Sequence, residues 1–142
     1  MTDVRTSLHP VPHPLPSCLN ARLVLFAIRR MGAHGLDDAR AAHSVFSAFG
    51  EGFRRPLMLL RALMTDLAAA AAETIAIAPC CCPRMTPAEQ ALLASIARVE
   101  RAPATAHLLL ADLLGLRRVD GVLASAAAVA ACFADEGRPV GG

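Results

Sequence analysis

The chain has 142 residues, 55% of them hydrophobic and 18% charged, with a formal net charge of +2. That length suits one domain burying about two-thirds of the surface its unfolded chain exposes, and the apolar fraction excludes global disorder. All fourteen basic residues are arginine, tryptophan and tyrosine are absent, and the net charge is too small to indicate nucleic acid, which is not the expected partner.

Residues 1–16 form a proline-rich arm. Pro10, Pro12, Pro14 and Pro16 forbid helix and predict an extended, solvated segment carrying exposed His9 and His13. Leu15 to Cys18 loosely matches a lipidation box. The residues before it are proline-rich rather than apolar, so lipidation is not expected.

The rest reads as helices. Ser17 is the expected cap of a first helix to about Met31, with Leu19, Leu23 and Phe26 on one face. Arg29 and Arg30 suit its C-terminal dipole, and Gly32 and Gly35 end it. Asp37 or Asp38 opens a second helix with the stripe Ala42, Val45, Phe46 and Phe49, broken at Gly50 and Gly52. Pro56 fits the first turn of the longest helix, expected over residues 57–77. Its charges at Arg61, Asp66 and Glu73 argue against a membrane span.

After a loop from Pro79 to Met85, Thr86-Pro87-Ala88-Glu89 is the strongest local signal. Thr86 is a cap, Pro87 takes the first helical position and Glu89 closes a capping box. The fourth helix runs to about Arg101, burying Leu92, Leu93, Ile96 and Val99. A fifth runs from Pro103 to Leu114 and stops at Gly115. Asp120 can cap a sixth to about Ala134, with the stripe Val122, Ala126, Val129 and Phe133. Beside that stripe lies a small-residue row of Gly121, Ser125, Ala128 and Cys132. No alternating strand pattern is visible. The expected fold is all-α: a single-domain bundle or orthogonal array of about six helices over residues 17–137, with residues 138–142 a disordered tail.

Five cysteines, an odd number with three adjacent, do not resemble a secreted disulfide framework, and a reducing cytoplasm is expected. Cys80, Cys81 and Cys82 are the chemically unusual feature. In an extended loop Cys80 and Cys82 point the same way, so the run supplies two metal ligands easily and three only with strain. Zinc or iron held by thiolates would need Cys18, Cys132, His107, His34 or His43 as further ligands. Cys82-Pro83 also looks like the short motif of haem-responsive proteins, a weaker indication. Redox chemistry competes, because Arg84 and the following helix N-terminus favour a thiolate. The bland alternative is packing: cysteines filling a turn stiffened by two prolines. Cys18 and Cys132, on or beside apolar faces, read first as core residues.

Arg54-Arg55 precedes a helix N-terminus, where positive charge is unfavourable, and is a candidate anion site. No carboxylate pair, nucleophile elbow or phosphate-binding loop is present, so no catalytic residue is assigned.

The stretch Phe53 to Leu57, with Pro79-Cys80-Cys81-Cys82-Pro83-Arg84-Met85-Thr86 after it, resembles a small family of uncharacterised alphaproteobacterial proteins, over about residues 20–139. The resemblance implies a bacterial cytoplasmic protein and carries no activity, cofactor or catalytic residue.

Three functions remain open. The leading expectation is a non-enzymatic helical protein that associates, as a homodimer or with a protein partner, motivated by the small-residue row and the high apolar content. The alternative is a thiol-based metal-binding or redox module centred on Cys80 to Cys82. The third is anion or nucleic-acid binding through the arginine doublets.

Overall fold

The computed structural model describes residues 4–6, as backbone only, and residues 11–141. His9 and Pro10 of the arm, and Gly142 of the tail, lie outside them. The fold is mostly helical, with α1 (Leu19–His34), α2 (Ala39–Phe49), α3 (Arg54–Ala70), α4 (Pro87–Arg98), α5 (Pro103–Leu114) and α6 (Asp120–Asp135). Between α2 and α3 the chain continues as a 3-10 turn, Gly50–Phe53. Gly50 (φ 64°) bends the path there without ending it. Helical segments among the described residues therefore number five rather than about six.

The longest helix ends earlier than its apolar pattern suggests. At Ala71 the backbone turns extended (φ −61°, ψ 122°) and the Ala72 N–H donates to the Leu114 carbonyl at 3.0 Å. Ile75–Ile77 is then a strand, with Ile75 and Ile77 buried and Ala76 half-buried. The strands, in chain order, are β1 (Val4–Thr6), β2 (His13–Pro14), β3 (Ile75–Ile77) and β4 (Arg84–Met85). β1 pairs parallel with β3, Val4 opposite Ile75, and β2 pairs antiparallel with β4, His13 opposite Met85. Within the described parts of the arm, Val4–Thr6 and His13–Pro14 are docked as strands. Their partners lie some seventy residues away, where no local pattern could reveal them.

α3 packs along α6 and α4 along α5, the two most extensive helix pairings. Leu60, Leu63, Leu67, Leu110, Leu114, Val129 and Phe133 fill the centre, with Phe49 edge-on to Phe133 at 5.0 Å between ring centroids. On α1 the buried face is Ala21, Val24, Leu25 and Ile28, whereas Leu19 is 75% exposed and Phe26 only half-buried. On α2 Val45 is buried but Phe46 is exposed, resting edge-on against Phe53. Part of the small-residue row of α6 is used inside the fold, while Gly121 at its start is exposed. Ser125 donates to Asp66 on α3, and Cys132 is fully buried.

Residues 138–141 are not a disordered tail. Val140 is buried in the core, Asn20 Nδ2 donates to the Pro139 carbonyl at 3.0 Å, and the Arg138 guanidinium lies over the Phe49 ring. No helix among the described residues is long and apolar enough to cross a membrane.

Candidate functional site at the cysteine turn

The site is built on the capping box at the start of α4. Thr86 Oγ1 accepts from the Glu89 N–H at 3.0 Å, and Glu89 Oε1 accepts from the Thr86 N–H at 2.9 Å. The Thr86 hydroxyl also donates to the Ala76 carbonyl at 2.8 Å, tying the helix to β3. These bonds fix the Glu89 carboxylate in the interior, where the Ala78 N–H donates to Oε2 at 3.0 Å.

A buried carboxylate needs a positive partner, and α1 supplies it. Arg29, only 2% exposed, donates from Nε to Glu89 Oε2 at 2.8 Å and from Nη2 to Oε1 at 3.0 Å. Its remaining donors reach the cysteine segment: Nη1 to the Cys82 carbonyl at 2.9 Å and Nη2 to the Arg84 carbonyl at 2.6 Å. Among the described residues no buried side-chain nitrogen or oxygen is left without a partner. Burying two charges costs several kcal/mol each, offset only by good pairing and a full set of hydrogen bonds. The consequence is positional: one buried guanidinium sets the backbone on both sides of Pro83.

The segment is a tight turn rather than the extended loop expected. The Cys82 N–H donates to the Pro79 carbonyl at 3.0 Å, putting Cys80 and Cys81 at the corner positions. All five cysteines are free; Cys81 is exposed, and Cys80 and Cys82 are partly buried. Cys80 faces Arg30. Arg30 donates to Asp38 from Nε at 3.0 Å and from Nη2 at 2.9 Å, and Asp38 also caps α2 through the Ala41 N–H. The Asp38 bond, with a smaller contribution from Cys80, holds the Arg30 pKa above its ordinary value. In return Arg30, then the Ala41 N–H, outweigh burial and hold the Asp38 carboxyl at about 2. The turn thus sits on a charged platform formed by the end of α1 and the start of α2.

A family model, described as a family of unknown function (DUF6628), matches residues 5–115. The chain belongs to DUF6628. The match takes in most of the proline arm, which the resemblance over residues 20–139 leaves out, and stops at Gly115, before α6. No curated protein and no solved structure matches the chain.

The other candidate ligands of this DUF6628 chain lie away from the turn. Cys18, not Ser17, is the N-cap of α1, separated from Arg30 by about 18 Å of helix. Its sulfur accepts from the Gly141 N–H at 3.2 Å. Burial raises the Cys18 pKa, but N–H groups of Ala21, Gly141 and Asn20 outweigh it and leave the thiol below its ordinary value. Cys132 is enclosed between α6 and its neighbours. Burial pushes its thiol up, with Arg55 opposing and Glu136 and Asp135 reinforcing the shift. His107 is half-buried on α5, in a shallow depression with Glu73, Asp112 and Arg117. Among the described residues no three His, Cys, Asp or Glu side chains gather where one ion could be held. Arg54 and Arg55 do not converge on one point: Arg54 stacks over Phe53 at 5.2 Å, and Arg55 lies within Coulombic reach of Cys132.

Sequence reasoning assigned Arg29 and Arg30 to the helix dipole. A signal against that was present for Arg29. It follows Leu25 by four residues and Phe26 by three, on the apolar side of α1, where a charge needs a buried partner.

Proposed function

We propose that this protein is a thiol–disulfide redox module working through Cys80, Cys81 and Cys82. The observation that carries the reading is the Arg29–Glu89 pair, which commits a buried guanidinium to holding the carbonyl of Cys82 while the thiols stay partly or fully accessible. A loop held that rigidly by the interior, with its reactive groups outward, suits presentation of those groups to a reactant. Cys80 lies beside the Arg30 guanidinium at the end of α1.

The chemistry balances with a peroxide as oxidant. The Cys80 thiolate attacks one peroxide oxygen; an S–O bond forms, the O–O bond breaks and hydroxide leaves, protonated to water. The Cys82 thiolate then attacks the sulfenic sulfur, forming the disulfide and releasing the second oxygen as water after protonation. Two thiols lose two electrons and the peroxide gains them. Closure through Cys81 forms a larger, less strained ring than a bridge between adjacent cysteines. A reducing bacterial cytoplasm, of the alphaproteobacterial kind the sequence resemblance implies, is the setting this reading supposes. Zinc or iron ligation has less support, since the candidate ligands are dispersed.

The test is a Cys82→Ser variant exposed to stoichiometric hydrogen peroxide with a sulfenic-acid trapping reagent. The adduct is expected on Cys80. An adduct confined to Cys18, or none on the turn, contradicts the reading.

Association is a second reading, with one observation in its favour. Ala104, Leu108 and Ala111 recur along α5 at i, i+4 and i+7, and Leu108 is 70% exposed. Leu108→Glu should abolish self-association seen by light scattering; a wild-type monomer at high concentration would remove this reading.

A further inference from the structure

We propose, building on the thiol reading above, that residues 11–14 of the proline arm are a strap held by the cysteine segment and released when the turn is oxidised. Residues 11–14 are fastened through Arg84 and its neighbour, whereas Leu15 packs against the core and Arg22 Nε holds the Pro16 carbonyl at 2.5 Å, so the segment has a fixed root. Arg84 Nε donates to the Val11 carbonyl at 2.8 Å, and its Nη2 donates to the Pro12 carbonyl. The β2–β4 ladder sets His13 opposite Met85 and Pro14 opposite Arg84. Little apolar area reinforces these bonds, since Pro12 and Pro14 are exposed and Val11 and His13 only partly buried.

The grip on the arm is mechanically linked to the thiols. The Arg29 guanidinium holds the carbonyls of both Cys82 and Arg84, at 2.9 and 2.6 Å. Between them Pro83 has a locked φ, so it passes a displacement on rather than absorbing it in a free rotation. A Cys80–Cys82 disulfide draws two sulfurs to about 2 Å and requires the turn to reshape. The Cys82 carbonyl then leaves Arg29, Arg84 shifts with it, and residues 11–14 lose their anchors while Leu15 and Pro16 stay rooted. Two cavities lie beneath it. Pro12 borders a groove of 410 Å³ with Ala76, Ala88, Ala91 and Leu113. His13 borders a cleft of 320 Å³ with Cys18, Leu93 and Arg98. Release of the strap opens both.

Hydrogen–deuterium exchange on the full chain tests this, with the disulfide state of the same samples read by intact and peptide mass. Uptake at the His13 amide, read in a peptide spanning Val11 to Ser17, is expected to be about tenfold faster after stoichiometric hydrogen peroxide. Arg84→Ala should show the fast rate already when reduced, and Cys82→Ser should show no response to peroxide. A disulfide at Cys80–Cys82 with unchanged arm exchange overturns the strap and leaves the thiol module standing. Absence of that disulfide overturns both. A reduced Arg84→Ala chain with the wild-type rate overturns the strap alone.

Discussion

Arg29 and Glu89, sixty residues apart in the chain, meet as a buried two-point ion pair, and the same guanidinium holds the carbonyls of Cys82 and Arg84. Neither residue alone is tolerable in the interior. Removing the arginine leaves a buried carboxylate whose remaining donors are backbone N–H groups. Arg29→Ala is therefore expected to cost about 3–5 kcal/mol, read from urea unfolding curves. A loss under about 1 kcal/mol would mean that water or another cation replaces it freely.

Thr86 offers a finer probe of the same junction. It accepts from the Glu89 N–H in the interior and donates to the Ala76 carbonyl at a part-buried site. Thr86→Ala should lose about 1–2 kcal/mol, and Thr86→Ser, which keeps the hydroxyl, markedly less. Equal losses in the two variants would assign the cost to the methyl group instead.

Much of this junction was legible in the sequence, because capping signals are local. Thr86-Pro87-Ala88-Glu89 forms the expected box, Asp38 caps α2, and Gly115 ends α5 in the left-handed conformation. What escaped depends on distant partners. Ile75–Ile77 follows an alanine-rich helical run, and only pairing with Val4–Thr6 makes it a strand. Val140 is buried between Pro139 and Gly141, which Asn20 and Cys18 hold from over a hundred residues away, and nothing near Val140 announces that. The small residues of α6 were visible, but not the helix they approach. That helix is α3, in the same chain.

Asp38 predicts a pH dependence. Its folded pKa, about 2, lies below the ordinary carboxylate value near 3.9, so its pairing stabilises the fold above that ordinary value. The contribution declines as pH falls from about 4 toward 2. Thermal unfolding of wild type and Asp38→Asn should differ at pH 6 and converge near pH 2. Asparagine can still cap α2, so the difference isolates the charge. A gap constant across this range would contradict the assignment.

Thiol reactivity should follow position. Cys81 is exposed and should label first; Cys132 is buried with its thiol pushed up and should label only on unfolding. Cys18, partly exposed and held below its ordinary value, should precede Cys132. Mass-resolved alkylation of the native protein orders them. Native labelling of Cys132 at the Cys81 rate would contradict the packing of α6.

Arg30 should matter for rate more than for stability. Arg30→Met is expected to slow the reaction of Cys80 with peroxide roughly three- to tenfold, measured by stopped-flow or quenched mass analysis. An unchanged rate would leave Arg30 as a partner of Asp38 only.

The most direct measurement is peptide mapping of the purified, reduced chain after one equivalent of hydrogen peroxide. The expected product is an intramolecular disulfide between Cys80 and Cys82, reversed by dithiothreitol. Three unmodified thiols on the turn, or oxidation confined to Cys18, would contradict the redox role of the turn.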